Sequence, residues 1–163
     1  MPDPYPLKAL LDVRLYREEA AKRAITAAKR EVLEAREAAE AAREALVRWR
    51  EWRVKETERR YEALIGRPTP IEKLQAFNQG LADLGLEELM KAAEIDKADK
   101  YVIECEQKVE AASKAARTAR QNTAKIELHK SIWAEESKKE AERLEDLELE
   151  EFHPVVQQTD DES

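Results

Sequence analysis

From Ile95 to Phe152, apolar or small residues recur at alternating steps of three and four. They read Ile95, Ala98, Val102, Cys105, Val109, Ala112, Ala116, Ala119, Thr123 and Ile126, and after the polar Lys130 they resume at Trp133, Leu144 and Leu147. An average step of 3.5 with charged residues between marks a helix that buries a narrow seam against another helix. A second stretch carries the same rhythm: Ile25, Ala28, Val32, Ala35, Ala39, Ala42, Leu46 and Trp49. Beyond it the apolar face shifts to Val47, Val54, Tyr61 and Leu64, which predicts a local change of supercoil phase.

Helix breakers divide the pattern. Prolines at positions 2, 4 and 6 keep the first residues extended, and a first helix is predicted over 7–65, about 58 residues or on the order of 90 Å. Gly66-Arg67-Pro68-Thr69-Pro70 ends it, with Gly66 as a left-handed cap. Thr69, Pro70 and Glu72 have the spacing of a capping box that starts a new helix. The cost of Gly80 and Gly85 inside a helix, about 1 kcal/mol each relative to Ala, predicts a break. The tip is thus expected over 66–85 with a short helix at 70–78, the second long helix over 86–151, and a disordered acidic tail over 152–163. Two long helices joined by a short Gly/Pro tip are antiparallel neighbours. The expected fold is all-α, a long antiparallel two-helix coiled-coil hairpin that makes a single elongated rod. Matching the Ala-rich segments 28–42 and 112–119 predicts close helix approach at mid-length, with Trp49 and Trp133 on either side.

Composition agrees with a hairpin rather than a wide core. Charged residues make up 40% of the chain, beside three Gly and two Phe, as in long exposed helices. The net charge of −7 conceals a gradient. Residues 14–60 hold 14 Lys/Arg against 10 Asp/Glu, whereas 134–163 hold 3 against 12, so the two regions are expected to attract. The acid excess argues against nucleic acid as a partner. Cys105 lies on the seam and reads as a reduced, buried thiol. No signal peptide is evident and no window approaches ~18 uncharged apolar residues. The expected location is the cytoplasm, without membrane insertion.

Catalytic and metal signatures are missing from the pattern. There is no Gly-rich phosphate loop and no Cys/His ligand spacing, and His129 and His153 are about 36 Å apart on an ideal helix. Pairs of Glu at helical spacing read as a solvated face, without a pocket to hold a substrate. The expectation is a chain that is not an enzyme and takes no cofactor and no metal.

Three clusters are candidates for partner binding. In His129-Lys130-Ser131-Ile132-Trp133, Trp133 occupies a seam position, His129 and Ile132 flank it, and Lys130 is expected to pack its stem while its ammonium reaches water or a carboxylate. Trp49 and Trp52 stand three apart, so both cannot centre on one narrow seam. One of them presents an aromatic surface beside Arg48, Arg50 and Arg53, either as an interface hot spot or as an ordinary Trp–Arg stack. At the tip, Phe77 with Leu74, Leu81, Leu84, Leu86 and Leu89 either closes a small core or marks a docking site.

Tyr5-Pro6-Leu7 before a long helix, together with His129-Lys130-x-x-Trp133 leading into Glu135-Glu136, Lys138-Lys139-Glu140-Ala141-Glu142 and the acidic run 145–151, resembles the YscO-like stalk proteins of bacterial type III secretion. That group, which includes chlamydial members, is similar in form to the flagellar export protein FliJ. The specific part of the resemblance lies at about 125–152, and Gly80 and Gly85 depart from the pattern. The resemblance implies a cytoplasmic stalk peripheral to the inner-membrane export apparatus. Such a stalk enters the central hole of the hexameric secretion ATPase, as the γ subunit does in rotary ATPases, and contacts the export-gate protein and secretion chaperones. The nucleotide chemistry then belongs to the ATPase. Two other readings stand beside it: a module that escorts export chaperones, and a structural coiled-coil scaffold. Since a hairpin satisfies both seams within one chain, a monomer is expected.

Overall fold

A computed structural model describes residues 3–152. Two helices, α1 (Lys8–Leu64) and α2 (Ile71–Phe152), run antiparallel and pack against each other. By contact, the described residues divide into two compact units, residues 3–22 with 114–152 and Arg23–Ser113.

Local chemistry sets the helix ends. The Tyr5 carbonyl accepts from the Lys8 amide at 3.2 Å and the Leu7 carbonyl from the Leu11 amide at 3.0 Å, so the chain passes from its Pro-rich start directly into α1. At the other end Gly66 takes φ 77°, the left-handed conformation that only glycine adopts without strain. The predicted capping box at Thr69 does not form. The Thr69 hydroxyl turns back to donate to the Arg67 carbonyl at 3.1 Å, while the Pro70 carbonyl accepts from the amides of Lys73 and Leu74 and opens α2 one residue later.

Helix α2 runs without interruption through Gly80 and Gly85, which corrects the predicted tip helix at 70–78 and the break before residue 86. The physical reason lies across the interface. A Cβ on Gly80 would sit 3.1 Å from Nη1 of Arg60, and one on Gly85 would sit 3.8 Å from Nη2 of Arg53. Gly80 thus leaves room for the Arg60 guanidinium from α1, whereas at Gly85 a side chain would meet Arg53 at ordinary contact distance. For the same reason the seam of α1 does not change phase: it continues through Trp49, Arg53, Glu56, Arg60 and Leu64, all half-buried, while Val47, Val54 and Tyr61 stay exposed. The predicted disordered tail falls, apart from Phe152, outside the described residues; Phe152 is the last residue of α2.

In the Arg23–Ser113 unit, Val32, Ala35 and the fully buried Cys105 form a core against which Val102 and Val109 pack. Val32 and Ala35 of α1 therefore meet Val102, Cys105 and Val109 of α2 there, not the Ala-rich segment 112–119. Ion pairs line the interface at Glu31–Lys108, Arg36–Glu106, Arg43–Asp99 and Arg50–Glu88, at 3.7, 3.0, 2.6 and 2.7 Å. Such exposed pairs add little stability each, but they fix which residue of α1 stands opposite which residue of α2.

In the other unit, Tyr5, Leu11 and Ile126 form the core, with Leu7 and Trp133 packed against it. Arg14 donates to the Asn122 carbonyl at 2.9 Å, and the buried Thr123 hydroxyl donates to the Ala119 carbonyl at 3.0 Å, with the Arg14 carbonyl at 3.4 Å. These bonds make Thr123 compatible with an otherwise apolar seam.

Candidate functional site

The two stretches that carried the family resemblance meet in space. Pro6 and Leu7 form a turn that leads from Tyr5 into α1, and the buried Tyr5 packs with Leu11, Ile126 and Trp133. Its hydroxyl lies 2.6 Å from Nδ1 of His129, and its ring meets the Trp133 indole edge-on at 5.4 Å between centroids. The hydroxyl donates to Nδ1 when the imidazole carries its proton on Nε2, and accepts when Nδ1 is protonated. Either way, one aromatic residue joins the His and Trp of the motif.

The predicted residues divide accordingly. Trp133 is half-buried in this core, and His129 is exposed apart from its bond to Tyr5. Lys130 and Ile132 project outward and take no part in the core. After Trp133, the expected seam positions Leu144 and Leu147 are 51% and 44% exposed, lying beyond the start of α1 at Lys8. The expected attraction between the basic and acidic regions takes a different form as well. Among the described residues the interhelical ion pairs fall before residue 134, and the acidic stretch forms its pair internally, Arg143 to Glu140 at 2.6 Å.

Trp49 and Trp52 tilt against each other at 6.2 Å, and the Arg53 guanidinium lies 5.8 Å above the Trp49 ring. Trp49 is half-buried and Trp52 faces solvent. At the tip, Phe77 is half-buried edge-on against Tyr61 at 4.9 Å. Leu84 is buried there, while Leu74, Leu86 and Leu89 are exposed.

Sequence reasoning missed a polar section of the interface. Arg50 and Arg53 both donate to Glu88, and Arg59 and Arg60 both donate to Glu56. The bond from Arg59, then that from Arg60, holds the Glu56 carboxyl at about 2, and the bond from Arg50 lowers Glu88. Glycine opposite arginine was the available signal, because a missing side chain on one helix can admit a long one from its neighbour.

Among the described residues no group of three or more His, Cys, Asp or Glu side chains could hold a metal ion, and no helix is long and apolar enough to cross a membrane.

No curated protein matches this chain. Its fold is similar to that of CT670 from Chlamydia trachomatis, described as a candidate YscO homolog, with a TM-score of 0.73 and 18% identity over 94% of each chain. At that identity the likeness is one of fold. The model of the type III secretion protein YscO family matches residues 7–155. The chain therefore belongs to the YscO family of type III secretion proteins.

Proposed function

We propose that this type III secretion protein is a non-enzymatic stalk of the export apparatus, which binds the hexameric secretion ATPase and links it to the export gate and to chaperones. The observation that carries the reading is the union of the family's two stretches, Tyr5-Pro6-Leu7 and His129 to Trp133, in one packed cluster on a helical hairpin. An asymmetric helical hairpin inside a six-fold ring touches some subunits and not others. It can then bias nucleotide binding through contacts that differ between subunit states. In this reading the ATPase performs the chemistry, and the chain acts as a monomer at the cytoplasmic side of the export apparatus, since its seams are satisfied within one hairpin.

The exposed Trp52 beside the half-buried Trp49 favours a second reading, an escort for export chaperones. Titrating the protein into its cognate ATPase, with hexamer formation followed by sedimentation and turnover by phosphate release, separates the two. A stalk raises both quantities. No change in either, together with firm chaperone binding, selects the escort. A stable dimer that needs neither partner selects a scaffold.

A further inference from the structure

The apolar seam of α2 does not end where α1 begins. Along α2 it continues past Trp133 through the half-buried Ser137 to Ala141, Leu144 and Leu147, which are exposed among the described residues. An open groove of about 550 Å³ begins this track, bounded by Pro4 and Pro6 on one side and by Trp133, Ser137 and Leu144 on the other. The track is therefore continuous with the interface between α1 and α2 around Trp133.

Charge identifies the occupant. Residues 134–152 carry nine acidic and three basic side chains. Glu140, Glu148 and Glu151 fall on the same face as Leu144 by helical spacing, and Asp3 adds a further acid at the mouth of the groove. A second copy of this stretch would bring like charge against like. Residues 153–163 are acidic as well, with Asp160, Asp161 and Glu162, and would be repelled in the same way. The helix also bears a cost for these acids. Glu142–Asp146 and Asp146–Glu150 are like-charged pairs four apart, and the last turn has no basic residue to complement the negative end of the helix dipole. A basic partner relieves both.

We infer that the face of α2 from Trp133 to Leu147 is a docking surface for an amphipathic helix of another protein, one with an apolar seam flanked by Lys or Arg. The inference rests on the partner-binding reading above and gives that partner its chemistry.

The test uses the full chain and a labelled synthetic helix with Leu at the seam positions and Lys at the flanking ones, followed by fluorescence anisotropy. A matched peptide with Glu at the flanks is the control. Expected are one-to-one binding of the Lys peptide, weakening as salt rises, and at least ~10-fold weaker binding of the Glu peptide. The double variant Leu144→Ser/Leu147→Ser should lose about 10-fold in affinity for the Lys peptide. Both leucines lie outside the packed cores, so its circular dichroism should match the parent. Equal binding of the Lys peptide to parent and double variant overturns the inference, as does no binding to the parent. Self-association of the parent that the double variant abolishes also overturns it, because the face would then serve a second copy. Peptide binding without any effect on the ATPase would sink the stalk and keep the docking surface; ATPase activation without peptide binding would do the reverse.

Discussion

Tyr5 and His129 are 124 positions apart in the chain and share a hydrogen bond of 2.6 Å. The bond links the lead-in of α1 to the distal half of α2 and closes the seam at Trp133. Removing only the hydroxyl tests it most cleanly. Tyr5→Phe should cost about 1 kcal/mol by urea unfolding, the worth of one partly exposed hydrogen bond. Tyr5→Ala should cost about 2–4 kcal/mol, since it also empties the core around Leu11 and Ile126. Equal losses for the two variants would show that the bond contributes nothing of its own.

Trp133→Ala should lower stability by about 1–3 kcal/mol, less than for a fully buried Trp because the indole is only half covered. It should also weaken binding to the secretion ATPase in a pull-down. Unaltered melting with unaltered binding would remove Trp133 from both roles.

The glycines of α2 are a source of added stability. Gly85→Ala places its Cβ at ordinary van der Waals distance from Arg53 and should stabilise the protein by roughly 0.5–1 kcal/mol. The gain for Gly80→Ala should be smaller, because Arg60 must shift from its 3.1 Å approach. Thermal denaturation followed by circular dichroism reports both, and destabilisation by Gly85→Ala would contradict the continuous helix.

Acid should weaken the polar section first. Glu56 and Glu88 are held below their ordinary value of 4.5 in the folded chain by their arginine partners, so folding favours their ionised forms. Their contribution is therefore complete above about pH 4.5 and is lost as pH falls towards the folded value, about 2 for Glu56. Urea midpoints measured from pH 5 to pH 2 should drop less steeply for Glu56→Gln than for the parent. Superposable curves would refute the assignment.

Cys105 has no exposed surface in the native state. Alkylation by iodoacetamide should run at least about 100-fold slower than for the chain in urea, because reaction must wait for the helices to separate. Rapid native labelling would show that the α1–α2 interface opens locally at this point.

Much of the fold could be read from the order of residues. The three-four rhythm from Ile95 to Ile126 and from Ile25 to Trp49 named side chains that are buried or half-buried in the structure, because a helix converts spacing directly into a face. Gly66 announced the turn, since a positive φ is costly for any residue with a side chain. Gly80 and Gly85 misled for an equally local reason: helix propensity counts the loss of a side chain but not what occupies the space. Val47, Val54 and Tyr61 suggested a new phase because apolar residues were assumed to mark the seam, whereas arginines paired with glutamates fill it there.

The candidate site was legible in part. His129 and Trp133 stood out by composition, but their partner Tyr5 could be assigned only once the two helices were in register. The sequence by itself determined what depends on near neighbours along one chain: two long helices, the turn between them and the buried stripes from Ile25 to Trp49 and from Ile95 to Ile126. Tertiary structure decided what depends on which stripe positions stand opposite one another. It set Val32 and Ala35 against Val102, Cys105 and Val109, Arg60 against Gly80 and Tyr5 against His129, and it left Leu144 and Leu147 exposed among the described residues. The physical reason is that a heptad pattern repeats every seven residues, so many alignments of two seams bury similar apolar area. Side-chain volume, ion pairing and the point at which α1 begins select one of them.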